Sequence, residues 1–219
     1  MTFCLESTFI KPEKNEEIKS AIILLHGYGG DGKDISTISL NWKRHLPNTI
    51  FCCPNGPEKC SINPVGYQWF DLTREEPEYI LEQVKIAEKK LIQFIEEVKK
   101  KFRLTNDKIC LSGFSQGCMM SINVGLTNSD QFNCIVGFSG KIINQNDLNI
   151  RKKNSTDVFL VHGDQDEIVS PSFLLEAKDF LIRNNNKVET YLLKNCGHHI
   201  PMEASSLALN YILKKFNFE

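Results

Sequence analysis

The chain has 219 residues, of which 41% are apolar and 24% are charged, and its formal net charge is −1. This size and composition predict one globular domain spanning residues 1–219. The near-neutral charge disfavours nucleic acid as a partner. The sequence also lacks a signal-type amino terminus and any run of about 18 apolar residues, so we expect neither secretion nor stable membrane insertion.

The cysteines are scattered along the chain without the spacing of metal ligands. Several lie inside apolar runs, as Cys110 does between Ile109 and Leu111, where cysteine behaves as a small buried hydrophobe. We therefore expect reduced thiols, no metal site and a cytoplasmic location. The eight positions are Cys4, Cys52, Cys53, Cys60, Cys110, Cys118, Cys134 and Cys196.

Short apolar runs alternate with longer amphipathic stretches, a pattern typical of parallel strands joined by helical crossovers. Residues 1–10 are predicted to add an edge hairpin strand. The later strands are predicted at 19–25, 49–53, 108–112, 134–139, 157–162 and 188–193. Together these elements predict an α/β fold with a mostly parallel sheet.

The strand at 19–25 runs into a glycine-rich loop, His26-Gly27-Tyr28-Gly29-Gly30-Asp31-Gly32. Such a loop is typical either of a phosphate-binding turn or of one half of an oxyanion hole. The glycine spacing does not match a dinucleotide fingerprint and no Walker lysine-serine pair is present, which weakens the phosphate interpretation. In a hydrolase, the glycines would let the backbone approach a substrate carbonyl and the Tyr28 amide would donate to it.

Residues 51–71 contain prolines and glycines that predict a long irregular loop, and long loops in compact domains are often functional. Trp69 and Phe70 on this loop are interpreted either as its core anchor or as a wall of a substrate pocket.

A helix is predicted over 78–102 from its apolar stripe. Two further helices are predicted from Pro171 to Arg183 and from Pro201 to Phe216.

The strand at 108–112 leads into Gly113-Phe114-Ser115-Gln116-Gly117, and an apolar helix follows. This is the Gly-x-Ser-x-Gly pattern of a nucleophile elbow in the strand-turn-helix context that it requires. The glycines permit a turn too tight for side chains, so Ser115 is expected to be exposed. The helix amino terminus, with the Gln116 amide, would face a developing oxyanion.

Candidate partners for Ser115 follow it in the order aspartate, histidine. Asp164 and Asp166 come after the strand at 157–162, and His198 and His199 come after the strand at 188–193. The aspartate would orient the imidazole and stabilise the imidazolium that forms. Spacing alone leaves the choice within each pair open, and a turn-capping role is the alternative for Asp164.

Three other histidines have structural interpretations. His26 and His162 each precede a glycine at the end of a strand, where a histidine usually braces loops by hydrogen bonds. His45 lies on a charged stretch beside Arg44 and is interpreted as a solvated surface residue.

Seven motifs are spread along nearly the whole chain: Leu25-His26-Gly27-Tyr28-Gly29, Pro54-Asn55-Gly56-Pro57, Trp69-Phe70-Asp71, Gly113-Phe114-Ser115-Gln116-Gly117, Phe138-Ser139-Gly140, His162-Gly163-Asp164-Gln165-Asp166 and Gly197-His198. Together they resemble the phospholipase/carboxylesterase family of α/β-hydrolases, which includes acyl-protein thioesterases. The resemblance implies that Asp166 is the acid and that His198 is the base. Two positions depart from the family pattern: Cys118 replaces an expected glycine, and Tyr28 places an aromatic ring beside the acyl pocket.

The resemblance further implies a minimal α/β-hydrolase fold, with helices on both faces of the sheet and no separate lid domain. It implies a serine hydrolase that cleaves carboxylic esters or thioesters of a small-molecule or acylated substrate, without a metal or cofactor. Ser115 would attack the acyl carbon, and the amides of Tyr28 and Gln116 would hold the oxyanion. The alternatives are a peptidase of the same fold and a catalytically silent binding protein. Either a monomer or a homodimer would suit.

Overall fold

The computed structural model describes residues 3–12 and 17–216. Its strands are β1 (Ser7–Ile10), β2 (Ser20–Leu25), β3 (Thr49–Pro54), β4 (Glu58–Lys59), β5 (Tyr67–Gln68), β6 (Ile109–Phe114), β7 (Cys134–Phe138), β8 (Val158–Gly163) and β9 (Val188–Leu193). Its helices are α1 (Gly32–Trp42), α2 (Pro77–Phe102), α3 (Gln116–Thr127), α4 (Gln145–Arg151), α5 (Ser172–Arg183) and α6 (Met202–Phe216).

In the described residues, seven strands form one sheet in the order β1, β3, β2, β6, β7, β8, β9, while β4 and β5 form a separate hairpin. All neighbours in the large sheet run parallel except β1, which is antiparallel to β3. The carboxyl ends of β2, β6 and β8 therefore meet at one end of the sheet. Ligands of open parallel sheets bind at that end.

Alternating side chains of the central strands pack into different layers, as in β2. Ile22 and Leu24 contact the layer that contains α1 and α6, whereas Ile23 and Leu25 contact the layer that contains α2 and α3. Because both faces of the sheet are covered, the central strands are continuous apolar runs rather than alternating ones. The predicted mostly parallel sheet with helices on both faces is confirmed, and no lid domain is evident in the described residues.

Observed and predicted elements differ in a few places. The parallel strands begin and end within two residues of the predicted positions. The edge strand β1 pairs with β3 rather than forming a hairpin with β2, and residues 1 and 2 of its predicted range lie outside the described residues. A short hairpin, β4–β5, interrupts the loop that was predicted to be irregular.

Helices α1 and α4 were not predicted. Helix α1 begins at a glycine and is rich in serine and threonine, so its intrinsic propensity is low. It is stabilised instead by its cap, where Asp31 accepts the amide of Asp34 at 2.8 Å, and by the burial of Ile35 and Trp42. Helix α4 has only seven residues, too few for a periodic pattern.

Burial and hydropathy add two observations. Every cysteine lies in the described residues, and all except Cys4 are buried. Among the described residues, no helix combines the length and apolar character needed to cross a bilayer.

Candidate active site

The turn that carries Ser115 joins β6 to α3. Ser115 has φ 53° and ψ −117°, outside the regions that side chains ordinarily favour. A Cβ atom at Gly113 would lie 2.3 Å from the carbonyl oxygen of Gly117, and one at Gly117 would lie 2.1 Å from that of Leu25. The flanking glycines therefore permit the close packing that holds the serine in this conformation.

Ser115, His198 and Asp166 form a continuous chain of hydrogen bonds. The Ser115 Oγ lies 3.0 Å from His198 Nε2, and His198 Nδ1 lies 2.7 Å from Asp166 Oδ2. A carboxylate can only accept, so the imidazole donates from Nδ1 and offers Nε2 as the acceptor for the serine hydroxyl. This tautomer suits a general base.

Asp166 is buried at the end of β8, in a loop that we call the acid loop, residues 164–169. Its Oδ1 accepts the amides of Ile168 at 3.0 Å and Val169 at 2.8 Å. Burial alone raises the pKa of Asp166, but the hydrogen bonds from His198 and from these two amides outweigh it and hold the pKa below its ordinary value. The carboxylate is therefore charged at neutral pH.

The alternative residues in each pair are placed differently. The Asp164 carboxylate is exposed and lies 3.4 Å from the amide of Cys196, which it accepts as a turn-capping aspartate would. The side chain of His199 is exposed, and its backbone amide donates to Gly197 at 3.0 Å. No hydrogen bond joins either residue to Ser115 or His198 in the part of the chain that the structure describes.

His162 is a second histidine on Asp166. Its Nε2 lies 2.8 Å from the carbonyl oxygen of Val169 and 3.2 Å from Asp166 Oδ2, and its side chain is 1% exposed. Both neighbouring atoms are acceptors, so Nε2 carries the proton. Burial lowers the pKa of His162 below its ordinary value. The neutral ring thus braces the acid loop.

The amides predicted to form an oxyanion hole belong to Tyr28, on residues 27–30, and to Gln116, at the start of α3. We call residues 27–30 the oxyanion loop. Within the described residues, neither amide donates to another protein group. Gly29, with φ +78°, turns the loop so that its own amide donates to the carbonyl of Tyr67. Neither amide is therefore engaged by another group in this part of the chain, and both residues line the cavity that Ser115 lines.

His26 braces the oxyanion loop through hydrogen bonds of its ring. Its Nδ1 lies 2.7 Å from the carbonyl oxygen of Gly27, and its Nε2 accepts the amide of Gly56 at 2.8 Å. The carbonyl can only accept, so the proton resides on Nδ1. Burial lowers the pKa of His26.

The side chain of Gln116 ties the nucleophile elbow to the loop before α2, a role that the sequence analysis missed. Its Oε1 accepts the amide of Trp69 at 3.0 Å, and its Nε2 donates to the carbonyl of Phe70 at 2.8 Å. Trp69 is 1% exposed and donates from Nε1 to the carbonyl of His26, so it anchors the loop in the core. Phe70 lines a cavity beside the serine.

Two cavities flank the site. One, of about 400 Å³, is lined by Ser115, Tyr28 and Gln116 and by apolar side chains that include Phe70, Met119, Ile143 and Val169. The other, of about 370 Å³, is lined by His198, Tyr28 and Phe114. We call them the serine-side and histidine-side cavities. A larger cavity, about 540 Å³, lies at the opposite ends of the strands beside Ser20 and contains none of these residues.

No group of three histidine, cysteine, aspartate or glutamate side chains in the described residues is arranged to hold a metal ion. The arrangement at Ser115 is suited to nucleophilic attack on a carbonyl carbon, because a hydroxyl is hydrogen-bonded to a base and lines the same cavity as Tyr28 and Gln116.

Comparison with known proteins agrees with this chemistry. A sequence model of the phospholipase/carboxylesterase family matches residues 6–215. The chain is 22% identical to the esterase YpfH of Escherichia coli, over 93% of this chain and 86% of that protein. It is 24% identical to acyl-protein thioesterase 1 homolog 1 of Dictyostelium discoideum, over 96% of each chain.

Solved structures share the same architecture. The structure of esterase PE8 superposes with a TM-score of 0.91 at 30% identity, covering 96% of this chain and 98% of that one. The carboxylesterase of Bacillus cereus superposes with a TM-score of 0.78 at 20% identity, covering 97% and 95%. With the family match over nearly its full length, the chain belongs to the phospholipase/carboxylesterase family and has the α/β-hydrolase fold.

Proposed function

We propose that the chain is a serine hydrolase that cleaves carboxylic esters or thioesters through a covalent acyl-enzyme. One observation carries this proposal: the Ser115 hydroxyl, the His198 imidazole and the Asp166 carboxylate are linked by hydrogen bonds of 3.0 and 2.7 Å beside two free amides. The membership of a family that contains esterases and acyl-protein thioesterases supports it.

In the first half of the reaction, Ser115 Oγ attacks the acyl carbon while His198 Nε2 takes the hydroxyl proton. The buried negative charge of Asp166 stabilises the imidazolium that forms. The carbonyl oxygen becomes an oxyanion and accepts hydrogen bonds from the Tyr28 and Gln116 amides. These hydrogen bonds strengthen as negative charge develops on the oxygen. The imidazolium then gives its proton to the leaving oxygen or sulfur.

In the second half, His198 removes a proton from water and the resulting hydroxide attacks the acyl-enzyme. The tetrahedral intermediate uses the same two amides. Collapse returns the proton to Ser115 Oγ and releases the carboxylic acid. This sequence uses no metal or cofactor.

The acyl group fits the serine-side cavity best. Phe70, Met119, Ile143 and Val169 give that cavity an apolar wall next to the nucleophile. Apolar contact area favours hydrocarbon by about 25 cal/mol for each Å² buried. We therefore assign the acyl chain to this cavity, with a small molecule or an acylated protein as the substrate.

The test is Ser115→Ala assayed with a p-nitrophenyl ester, an acyl thioester and a fluorophosphonate probe. Removal of the nucleophile lowers turnover on the order of a million-fold in a triad enzyme and abolishes labelling. Ser129→Ala, at an exposed serine, is the matched control and keeps both. Labelling of the Ser115→Ala protein would refute the assignment, and faster cleavage of a peptide nitroanilide than of either ester would indicate a peptidase.

We also propose that residues 1–219 form a single domain and that the protein acts in the cytoplasm as a monomer or homodimer. Burial raises the pKa of Cys53 and of Cys118 to about 12, so these thiols resist ionisation in the folded state. All eight cysteines are expected to titrate as free thiols once the protein is denatured without reductant. A reproducible count of six or fewer, restored by reductant, would contradict the cytoplasmic assignment.

A further inference from the structure

The histidine-side cavity has no occupant in the acyl transfer described so far. It lies next to His198 and is also lined by Tyr28, Phe114, Asp34 and Ile35. Tyr28 lines both cavities and so lies between them. The two cavities therefore offer separate spaces for the two halves of a substrate.

The direction of proton transfer decides which half enters which cavity. The His198 imidazolium must deliver its proton to the atom that leaves, so the leaving group has to lie on the His198 side of the acyl carbon. The acyl chain then points the other way, into the apolar cavity that Ser115 lines. This assignment makes the histidine-side cavity the leaving-group subsite.

Asp34 is the one acidic side chain among the described residues that line this subsite, which also include three histidines. Asp34 lies in the first turn of α1, where it complements the helix dipole. Among the described residues only its backbone forms hydrogen bonds, and the charge of its carboxylate acts on the His26 ring nearby. Neither lysine nor arginine is among the described residues that line the cavity. The negative charge of Asp34 is therefore available to a ligand.

The aromatic rings of the subsite add a second feature. Phe114 packs against His198 with ring centroids 4.7 Å apart, and Tyr28 also lines the cavity. Aromatic faces attract cations, and a carboxylate beside them strengthens the preference for an ammonium group. Ile35 and the neighbouring Ile38 supply apolar contact for the stem that would carry such a group.

We propose that this cavity binds a leaving group that carries an ammonium group, such as an amino alcohol or an amino thiol, and that Asp34 determines this specificity. The proposal rests on the proposed function. The acyl C–O or C–S bond breaks, the imidazolium proton goes to the leaving oxygen or sulfur, and water supplies the hydroxyl of the released acid. No further reactant is needed.

The experiment compares two thioesters that share the butyryl group. One is S-butyrylthiocholine, and the other is S-(3,3-dimethylbutyl) thiobutyrate, its uncharged isostere. We expect kcat/KM to favour the cation by about fivefold to tenfold, the combined effect of a cation–π contact and one partly screened carboxylate. Asp34→Asn lowers that ratio to about twofold. Asp179→Asn, which removes an equal charge from the exposed face of α5, retains the wild-type ratio.

Three outcomes would overturn the proposal. The first is a wild-type ratio near one, and the second is an equal loss of preference in Asp34→Asn and Asp179→Asn, which would indicate only a long-range field. The third is an effect of Asp34→Asn on a thioester whose ammonium lies in the acyl group, because the two halves would then be reversed. Loss of the proposed function looks different: neither thioester is cleaved and the fluorophosphonate does not label.

Discussion

His26 and His162 occupy equivalent places in the fold but use opposite tautomers. Each precedes a glycine at the carboxyl end of a parallel strand, and each side chain is almost fully buried. His26 carries its proton on Nδ1 and accepts the amide of Gly56 at Nε2, whereas His162 donates from Nε2 to the carbonyl of Val169. The same dipeptide therefore braces two loops with different chemistry.

The difference matters because the two loops have different tasks. In the proposed mechanism the oxyanion loop contributes the Tyr28 amide, so the hydrogen bonds of His26 would fix where a carbonyl oxygen binds. The acid loop contributes a carboxylate, and His162 lies 3.2 Å from that carboxylate as well as holding the loop backbone. His26 thus holds the backbone of its loop, whereas the neutral His162 ring holds the backbone of its loop and also contacts the charged carboxylate of Asp166.

The largest expected effect concerns the carboxylate that His162 contacts. Asp166→Asn keeps the size of the side chain but removes the charge that orients and stabilises the imidazolium of His198. We expect kcat to fall about 10⁴-fold, as in other triads of this kind. Steady-state hydrolysis of a short p-nitrophenyl ester measures it, with Asp164→Asn as the control. A loss of similar size in Asp164→Asn would move the acid by two residues.

His26→Ala is expected to come next, because it releases the oxyanion loop and leaves the buried amide of Gly56 without an acceptor. Loss of one oxyanion donor lowers kcat by about 10²-fold or more, and the orphaned amide lowers the free energy of unfolding by about 1–3 kcal/mol. Both are measured on the purified protein, with His45→Ala as a surface control. Destabilisation with unchanged kcat would show that this brace has no catalytic consequence.

His162→Phe is expected to have a smaller effect, about tenfold to thirtyfold on kcat/KM, because Asp166 keeps its other donors. Without the His162 proton, the carboxylate interacts more strongly with the His198 imidazolium. The acid limb of the pH profile therefore moves to higher pH. His162→Gln restores a donor and is expected to recover most of the activity. A purely structural brace would lower stability without moving that limb.

The pH dependence of the free energy of unfolding should report the protonation of His26 and His162. Burial lowers the pKa of His26 and of His162 in the folded protein, whereas an unfolded histidine titrates near 6.5. As the pH falls, the unfolded state therefore binds more protons than the folded state. The contribution of the two histidines to the free energy of unfolding is complete above about pH 6.5. Below that pH it is lost by up to about 1.4 kcal/mol per pH unit for each ring. Urea unfolding at pH 7.5, 6 and 5 measures this slope, which His162→Gln should reduce. A stability that does not change over this range would contradict two neutral buried rings.

The smallest effect is expected at His199, whose side chain forms no hydrogen bond within the described residues. His199 is exposed and adjacent to the base, so His199→Ala should lower kcat/KM by tenfold or less, whereas His198→Ala should lower it by several orders of magnitude. The same ester assay measures both. The reverse order would place the base at His199.

The sequence predicted the parts of the fold that depend on local pattern. Buried parallel strands such as β2 and β6 are continuous apolar runs, and the elbow at Ser115 has its own glycine signature. Helix α1 was missed because burial of Trp42 and a cap at Asp31, rather than propensity, stabilise it. The antiparallel pairing of β1 with β3 was missed because register depends on contacts distant in sequence.

The candidate site divides in the same way. The order and spacing of the motifs identified Ser115, Asp166 and His198 as candidates. The choice of Asp166 over Asp164, and of His198 over His199, depended on the family resemblance. The sequence brought forward only the backbone amide of Gln116, because the partners of its side chain, Trp69 and Phe70, lie 47 and 46 residues away in the chain. The tautomers of His26 and His162 likewise depend on which acceptors the folded loops supply.

The unusual backbone of Ser115, with φ 53° and ψ −117°, has an evolutionary consequence. A residue with a side chain in such a region destabilises the fold by about 1–3 kcal/mol, and glycine would relieve that strain. Ser115→Gly is therefore expected to raise the melting temperature while turnover disappears. In a lineage released from selection for turnover, drift toward greater stability is expected to replace this serine early.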